Sequence, residues 1–176
     1  MPTAMKLIQT YTVPSATNSF SFNAIPNTYT DLIIYYSAQI INAGTGWYDF
    51  YMTFNGSTSG YSGNTNYADG GGSTKLSITE GTSAVTQRVN TNTSPNTQYS
   101  FSLAKMYIPN YRSGLRKTVL NDHITEQQNT IGNGAAGLFA NATRWENTSA
   151  IDTITITGLM GSNLTAGSTF SIYGIA

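Results

Sequence analysis

The chain has no cysteine, a single histidine, five prolines and only 9% charged residues in a length of 176. Each scarcity removes a class of function. Without thiols there are no disulfide scaffolds, no Cys-zinc centres and no thiol nucleophile. One histidine without cysteine cannot supply the usual zinc ligand set. Eight cations balance eight acids, so the clustered positive charge that displaces counterions from nucleic acid is missing. No apolar run approaches the roughly 20 residues that span a bilayer, and neither nucleic acid nor membrane is expected as a partner. The stretch Met1 to Thr10 lacks the apolar core of roughly 7–15 residues of a secretory signal, so synthesis in a cytoplasm is expected. Helical periodicity is also absent, since no window of a dozen residues keeps apolar positions at i, i+3, i+4 and i+7.

What is present is Thr, Ser, Asn and Gly, together 79 of the 176 residues, with 12% aromatics. Zero net charge and that aromatic content exclude disorder driven by charge repulsion, while Thr and Tyr favour strands. Period-2 alternation recurs. Phe20 and Phe22 alternate with Ser19 and Ser21. Tyr48, Phe50, Met52 and Phe54 share one face of a strand, and Tyr99, Phe101 and Leu103 alternate with Ser100, Ser102 and Ala104. Ile154 and Ile156, then Phe170 and Ile172, alternate with Thr and Ser. Leu32-Ile-Ile-Tyr-Tyr36 is apolar on both faces and reads as a central strand, whereas Lys117-Thr-Val-Leu120 is flanked by charge and reads as lying near an edge. About eleven short strands are predicted, near 6–13, 18–24, 31–41, 47–55, 75–79, 84–90, 98–108, 115–122, 138–145, 150–157 and 168–175. The predicted fold is all-β, an antiparallel two-sheet β-sandwich of jelly-roll type in one domain over 1–176. A long Gly/Asn/Ser-rich loop is expected at about 55–74 and a second at 125–137.

The candidates for chemistry are few. His123 follows Asp122, but neighbours on a strand point to opposite faces, so the pair does not read as part of a triad. Among eight acids, Asp49 stands out because it lies between Trp47 and Tyr51, which resembles the wall of a sugar subsite; no second carboxylate is marked out to work with it. Asn64-Thr-Asn-Tyr-Ala-Asp-Gly70 offers oxygen ligands before a glycine without calcium-loop spacing or a closing Glu. Lys105, Arg112, Arg116 and Lys117 form a basic window, suited to a solvated edge or to bidentate pairing with an acidic partner. Trp47, Tyr48, Tyr51, Tyr61 and Tyr67 are expected as exposed aromatic anchors of an interface or a sugar site. No enzyme, cofactor or metal is expected.

Three segments carry a resemblance. Ile25-Pro-Asn-Thr-Tyr-Thr-Asp-Leu-Ile-Ile34, Met106-Tyr-Ile-Pro-Asn-Tyr-Arg-Ser-Gly114, and the pair Ala150-Ile-Asp-Thr-Ile-Thr-Ile156 with Leu164-Thr-Ala-Gly-Ser-Thr-Phe-Ser-Ile-Tyr-Gly-Ile175 occur in that order. Together they look like the corresponding pieces of small bacteriophage virion structural proteins with a jelly-roll fold, of the head-decoration (cement) or tail-fibre-associated type. Ile172 stands where Leu is usual in those chains. The resemblance implies a non-enzymatic virion protein, a homotrimer on the phage head in contact with the major capsid protein, or a tail module that recognises host glycan. Pro26 and Pro109 fit turns at strand ends, and Gly174 is expected to let its strand pass close to another backbone.

Overall fold

A computed structural model describes residues 4–41, 48–69, 74–79, 83–92, 101–127 and 135–176. The described residues form thirteen strands: β1 (Met5–Thr12), β2 (Ser19–Phe22), β3 (Asp31–Ile41), β4 (Tyr48–Phe54), β5 (Tyr61–Asp69), β6 (Thr74–Thr79), β7 (Val85–Asn92), β8 (Ser102–Ile108), β9 (Lys117–Gln127), β10 (Ala135–Trp145), β11 (Ile154–Gly158), β12 (Asn163–Leu164) and β13 (Thr169–Ile175). Each of the eleven predicted strands has a counterpart among the described residues, with residue 47 of the strand predicted at 47–55 and 98–100 of that at 98–108 lying outside them, and the sandwich is antiparallel apart from a short parallel contact between Gln39–Ile41 and Asn90–Asn92. The additions are the two-residue β12 and the nine-residue β5.

The larger sheet runs β1-β13-β3-β8-β9-β10-β5-β6 and the smaller runs β2-β11-β4-β7. Within these, β1-β13-β3-β8 and β2-β11-β4-β7 form the two four-stranded sheets of a jelly roll, the chain winding from one sheet to the other as two Greek keys. The hairpins β5–β6 and β9–β10 are inserted into that winding, and both join the larger sheet beyond β8. The strand at Lys117–Leu120, expected near an edge, opens β9, which lies between β8 and β10; Lys117, Thr118 and Val119 pair with β10 alone, and pairing with β8 begins at Leu120.

One buried cluster fills the space between the sheets, with Leu32, Ile34, Tyr36, Phe50, Met52, Phe54, Ile154, Ile156, Phe170 and Ile172 at its centre. Alternate residues of β3, β4, β11 and β13 supply it, as period-2 patterning requires. At β8 the expected parity is reversed: Ser102 and Ala104 face inward with Met106 and Ile108, while Leu103 faces out. Small side chains at 102 and 104 lie on the face that Tyr36 and Ala38 already fill from β3, paired Tyr36 with Ala104 and Ala38 with Ser102.

The three segments that carry the phage resemblance meet at one end of the roll. The Tyr111 hydroxyl donates to the Pro26 carbonyl, and Arg112 Nη1 donates to the Asn27 carbonyl at 2.8 Å. Thr30 N–H donates to the Ile175 carbonyl at 2.7 Å. Gly174 is needed here for a different reason from the one expected: a Cβ on it would lie 2.2 Å from the Tyr29 ring, so the close neighbour is a side chain and not a backbone. Asp31 completes the clasp, accepting from Tyr107 Oη at 2.6 Å and from Asn110 N–H at 2.8 Å.

Four tyrosines hold their protons more tightly than usual. Burial, and secondarily the charge of Asp49, raises Tyr36. Burial pushes Tyr61 up to about 12 against the opposing Phe54 hydrogen bond. Burial also leads for Tyr111, and the hydrogen bond to Asp31 leads for Tyr107. In the unfolded chain these groups ionise near the ordinary value of about 10. Their stabilising contribution is therefore complete below about pH 10 and is lost as pH rises through the folded values. Denaturant midpoints are expected to hold up to about pH 10 and then fall, with a shallower fall in Y36F/Y61F. An equal fall in wild type and variant would contradict the assignment.

Candidate functional site

The outer face of the larger sheet holds the most exposed apolar surface of the described residues. It follows from register. Leu103 on β8 pairs with Ile124 on β9, which pairs with Leu138 on β10. Two residues further along each strand comes a charged row, Tyr35, Lys105, Asp122 and Ala140, and beyond it a second apolar row, Tyr173, Ile33, Tyr107, Leu120 and Ala142. Leu103, Leu120, Ile124 and Leu138 are each 54–59% exposed. Scattered exposed apolar residues are normal, but Leu103, Ile124 and Leu138 form a contiguous row across three adjacent strands, with Leu120 beyond the charged row, and contiguous apolar surface of this kind marks interaction surfaces.

A groove of about 540 Å³ crosses this face, lined by Tyr35, Leu103, Ile124, Leu138 and Tyr173, with Lys105 and Asp122 between its apolar walls. Ser37, Thr169 and Ser171 add hydroxyls to it. Tyr35 and Tyr173 meet edge to face, ring centres 5.8 Å apart, a favourable aromatic geometry that fixes both rings.

The inner face of the same extension is polar and buried. Asn121, His123, Thr125, Asn141, Thr143 and Thr65 are all at most 6% exposed. His123 stacks parallel on Phe139 at 4.6 Å, and the Asn121 amide donates to its Nδ1 at 2.8 Å. Asp122 lies on the opposite, exposed face of β9, as strand geometry demands. Asn141 Nδ2 donates to the Thr86 carbonyl at 3.3 Å, tying β10 to β7. The Oδ1 atoms of Asn121 and Asn141 have no partner among the described residues.

The residues singled out from sequence fall in several places. Trp47 lies outside the described residues, as do the side chains of Tyr48 and Tyr67. Asp49 and Tyr51 are half-buried on the face of β4 opposite Phe50 and Met52. In β4 Asp49 is in register with Arg88, and Tyr51 with Thr86. Tyr61, expected exposed in a loop, begins β5 and is 2% exposed. It stacks on Trp145 at 6.0 Å, its hydroxyl accepts from Phe54 N–H at 2.8 Å and donates to the Ser57 carbonyl at 3.3 Å. It is a core residue and not an interface anchor. The calcium-like segment is also strand through Asp69: Asn64 and Asn66 are exposed while Thr65 between them is buried, so neighbouring oxygens point to opposite faces and do not gather as a calcium loop gathers them.

The basic window does not form one patch. Lys105 stands in the charged row of the outer face. Arg112 is held by Asn27, and Arg116 pairs with Glu146 at 2.5 Å, a carboxylate it shares with Arg144. Lys117 turns inward and is 1% exposed, its Nζ donating to the carbonyls of Ser113, Leu115 and Thr148. Burial lowers its pKa. The expected surface cation is therefore an internal support of the turn at 109–116. Among the described residues no three His, Asp or Glu side chains gather in a way that would hold a metal.

Fold and face together define an all-β sandwich of jelly-roll winding with an apolar, groove-bearing sheet face exposed among the described residues. No protein-family model, curated protein or solved structure matches the chain.

Proposed function

We propose that this chain is a non-enzymatic structural protein of a bacteriophage virion, a decoration protein that binds the assembled head through the major capsid protein and stabilises it. The observation that carries this reading is the outer face of the larger sheet. Its in-register aliphatic rows leave Leu103, Leu120, Ile124 and Leu138 in water unless a neighbour covers them. Low charge suits permanent packing, because charged side chains are costly to desolvate. The meeting of all three resembling segments in one clasp supports a shared architecture with the phage proteins, and the resemblance implies a homotrimer. Purified protein added to heads that lack it is expected to bind saturably and to raise the temperature at which the shell opens. Absence of binding would overturn the proposal.

A second reading has a specific observation in its favour. The groove sets Tyr35 and Tyr173 beside the hydroxyls of Ser37, Thr169 and Ser171, which suits stacking on a neutral host glycan by a tail-fibre module. Glycan-array binding that disappears in Tyr35→Ala would favour it.

A further inference from the structure

We propose that the outer face of the larger sheet is a two-fold contact surface for a second copy of this chain, centred on the line between β8 and β9. The inference rests on the assembly reading above and names a partner for that same face.

The argument is one of self-complementarity. Across the β8–β9 line the register pairs are Leu103 with Ile124, Lys105 with Asp122, and Tyr107 with Leu120. All six side chains belong to the outward parity of their strands. Aliphatic meets aliphatic at one end, cation meets anion in the middle, and aromatic meets aliphatic at the other. A two-fold axis lying parallel to the strands, between β8 and β9, carries β8 of one copy onto β9 of the other. Lys105 then faces Asp122 of the second copy, and the reciprocal pair forms by symmetry, as an isologous interface requires. The same operation sets Leu103 against Ile124 of the second copy and Tyr107 against its Leu120. Leu138, two strands from β8, comes to lie over Ser37 of the second copy, because Ser37 is the residue that pairs with Leu103 on the far side of β8. Ser37 lines the groove, so Leu138 supplies a knob for it.

Sheets packed face to face keep their strands within about 30° of each other at a spacing of about 10 Å, and an axis parallel to the strands satisfies both. The charge pattern also selects the occupant. One cation and one anion side by side leave either an acidic or a basic partner facing a like charge, whereas a second copy presents the opposite charge at both positions.

The test is the solution mass, by sedimentation equilibrium, of wild type, K105E, D122K, their equimolar mixture and the double variant K105E/D122K. Wild type is expected as an even-numbered assembly: two chains, or six where the contact pairs the trimers that the resemblance implies. Either single variant places like charges against each other twice across the axis, and its mass is expected to fall two-fold. The mixture and the double variant both restore opposite charges at both positions and are expected to regain the wild-type mass. Because both side chains are exposed, circular dichroism is expected to show each variant folded. The partner changes to another molecule if wild type is monomeric. The proposal is overturned by that result, by an odd-numbered wild-type assembly, by single variants that keep the wild-type mass, or by single variants that stay apart when mixed. Its failure is separable from that of the decoration reading: masses that behave as expected with heads left unbound sink only the latter, and heads bound by a monomer sink only the former.

Discussion

Replacing Trp145 with alanine is expected to lower the unfolding free energy by about 3–5 kcal/mol, the range for deleting a large aromatic from a filled core. Trp145 closes β10 and is fully buried. It stacks on Tyr61 at 6.0 Å and meets the Phe54 ring edge-on at 5.4 Å. Phe54 belongs to the smaller sheet, whereas Tyr61 and Trp145 belong to the hairpins added to the larger one. The cluster therefore fastens the extension to the jelly roll. The indole N–H has no acceptor among the described residues, so the expected loss is packing alone and Trp145→Phe should retain part of it. Denaturant unfolding monitored by circular dichroism measures the effect. For a chain of this size the thermal midpoint should drop by about 2–4 °C per kcal/mol. A loss below about 1 kcal/mol would mean that the ring is not part of a filled core.

Lys117→Met is expected to cost about 2–4 kcal/mol, although it replaces a cation by an apolar side chain of similar length. Three carbonyls, of Ser113, Leu115 and Thr148, converge on Nζ. Removing the donor leaves them without it, and hydrogen bonds to charged groups are worth about 1.5–3 kcal/mol each before the penalty for burying the ammonium is set against them. The sign of that penalty is testable. Burial lowers the folded pKa below the unfolded value, so the charged form costs the native state below that folded value. The cost disappears as pH climbs from it towards the ordinary lysine range. The stability gap between wild type and K117M should therefore widen in mildly alkaline solution, before the tyrosines ionise. A gap that narrows there would show that the carbonyls outweigh burial.

The sandwich was legible because its core strands obey strict alternation: Phe50, Met52 and Phe54, Ile154 and Ile156, and Phe170 and Ile172 are all buried. Where the sequence misled, the reasons are specific. Segment 61–69 carries Ser62, Gly63, Asn64 and Asn66, which are turn formers by propensity, yet it pairs along its length with β10. Gly63 is needed there because a Cβ would come within 2.7 Å of Thr143 Oγ1, and strand pairing overrides the local preference for a turn. Leu103 was placed inward because it continues the parity of Tyr99 and Phe101. Its partner residues on β3 need small side chains at 102 and 104, a demand visible only once the strands are paired. The candidate face was missed for the same reason. Leu103, Ile124 and Leu138 are far apart in sequence and each is ordinary by itself; register alone makes them neighbours. Lys117 gives no sign of its inward turn in composition, since the carbonyls that hold it are backbone atoms.

The central claim, a coat component of the virion head, is tested most directly by counting copies of this chain in purified particles by quantitative gel or mass-spectrometric measurement. The account predicts copies in the hundreds, in fixed proportion to the major capsid protein and lost together when heads are stripped. A handful of copies per particle, travelling with the tail, would contradict it.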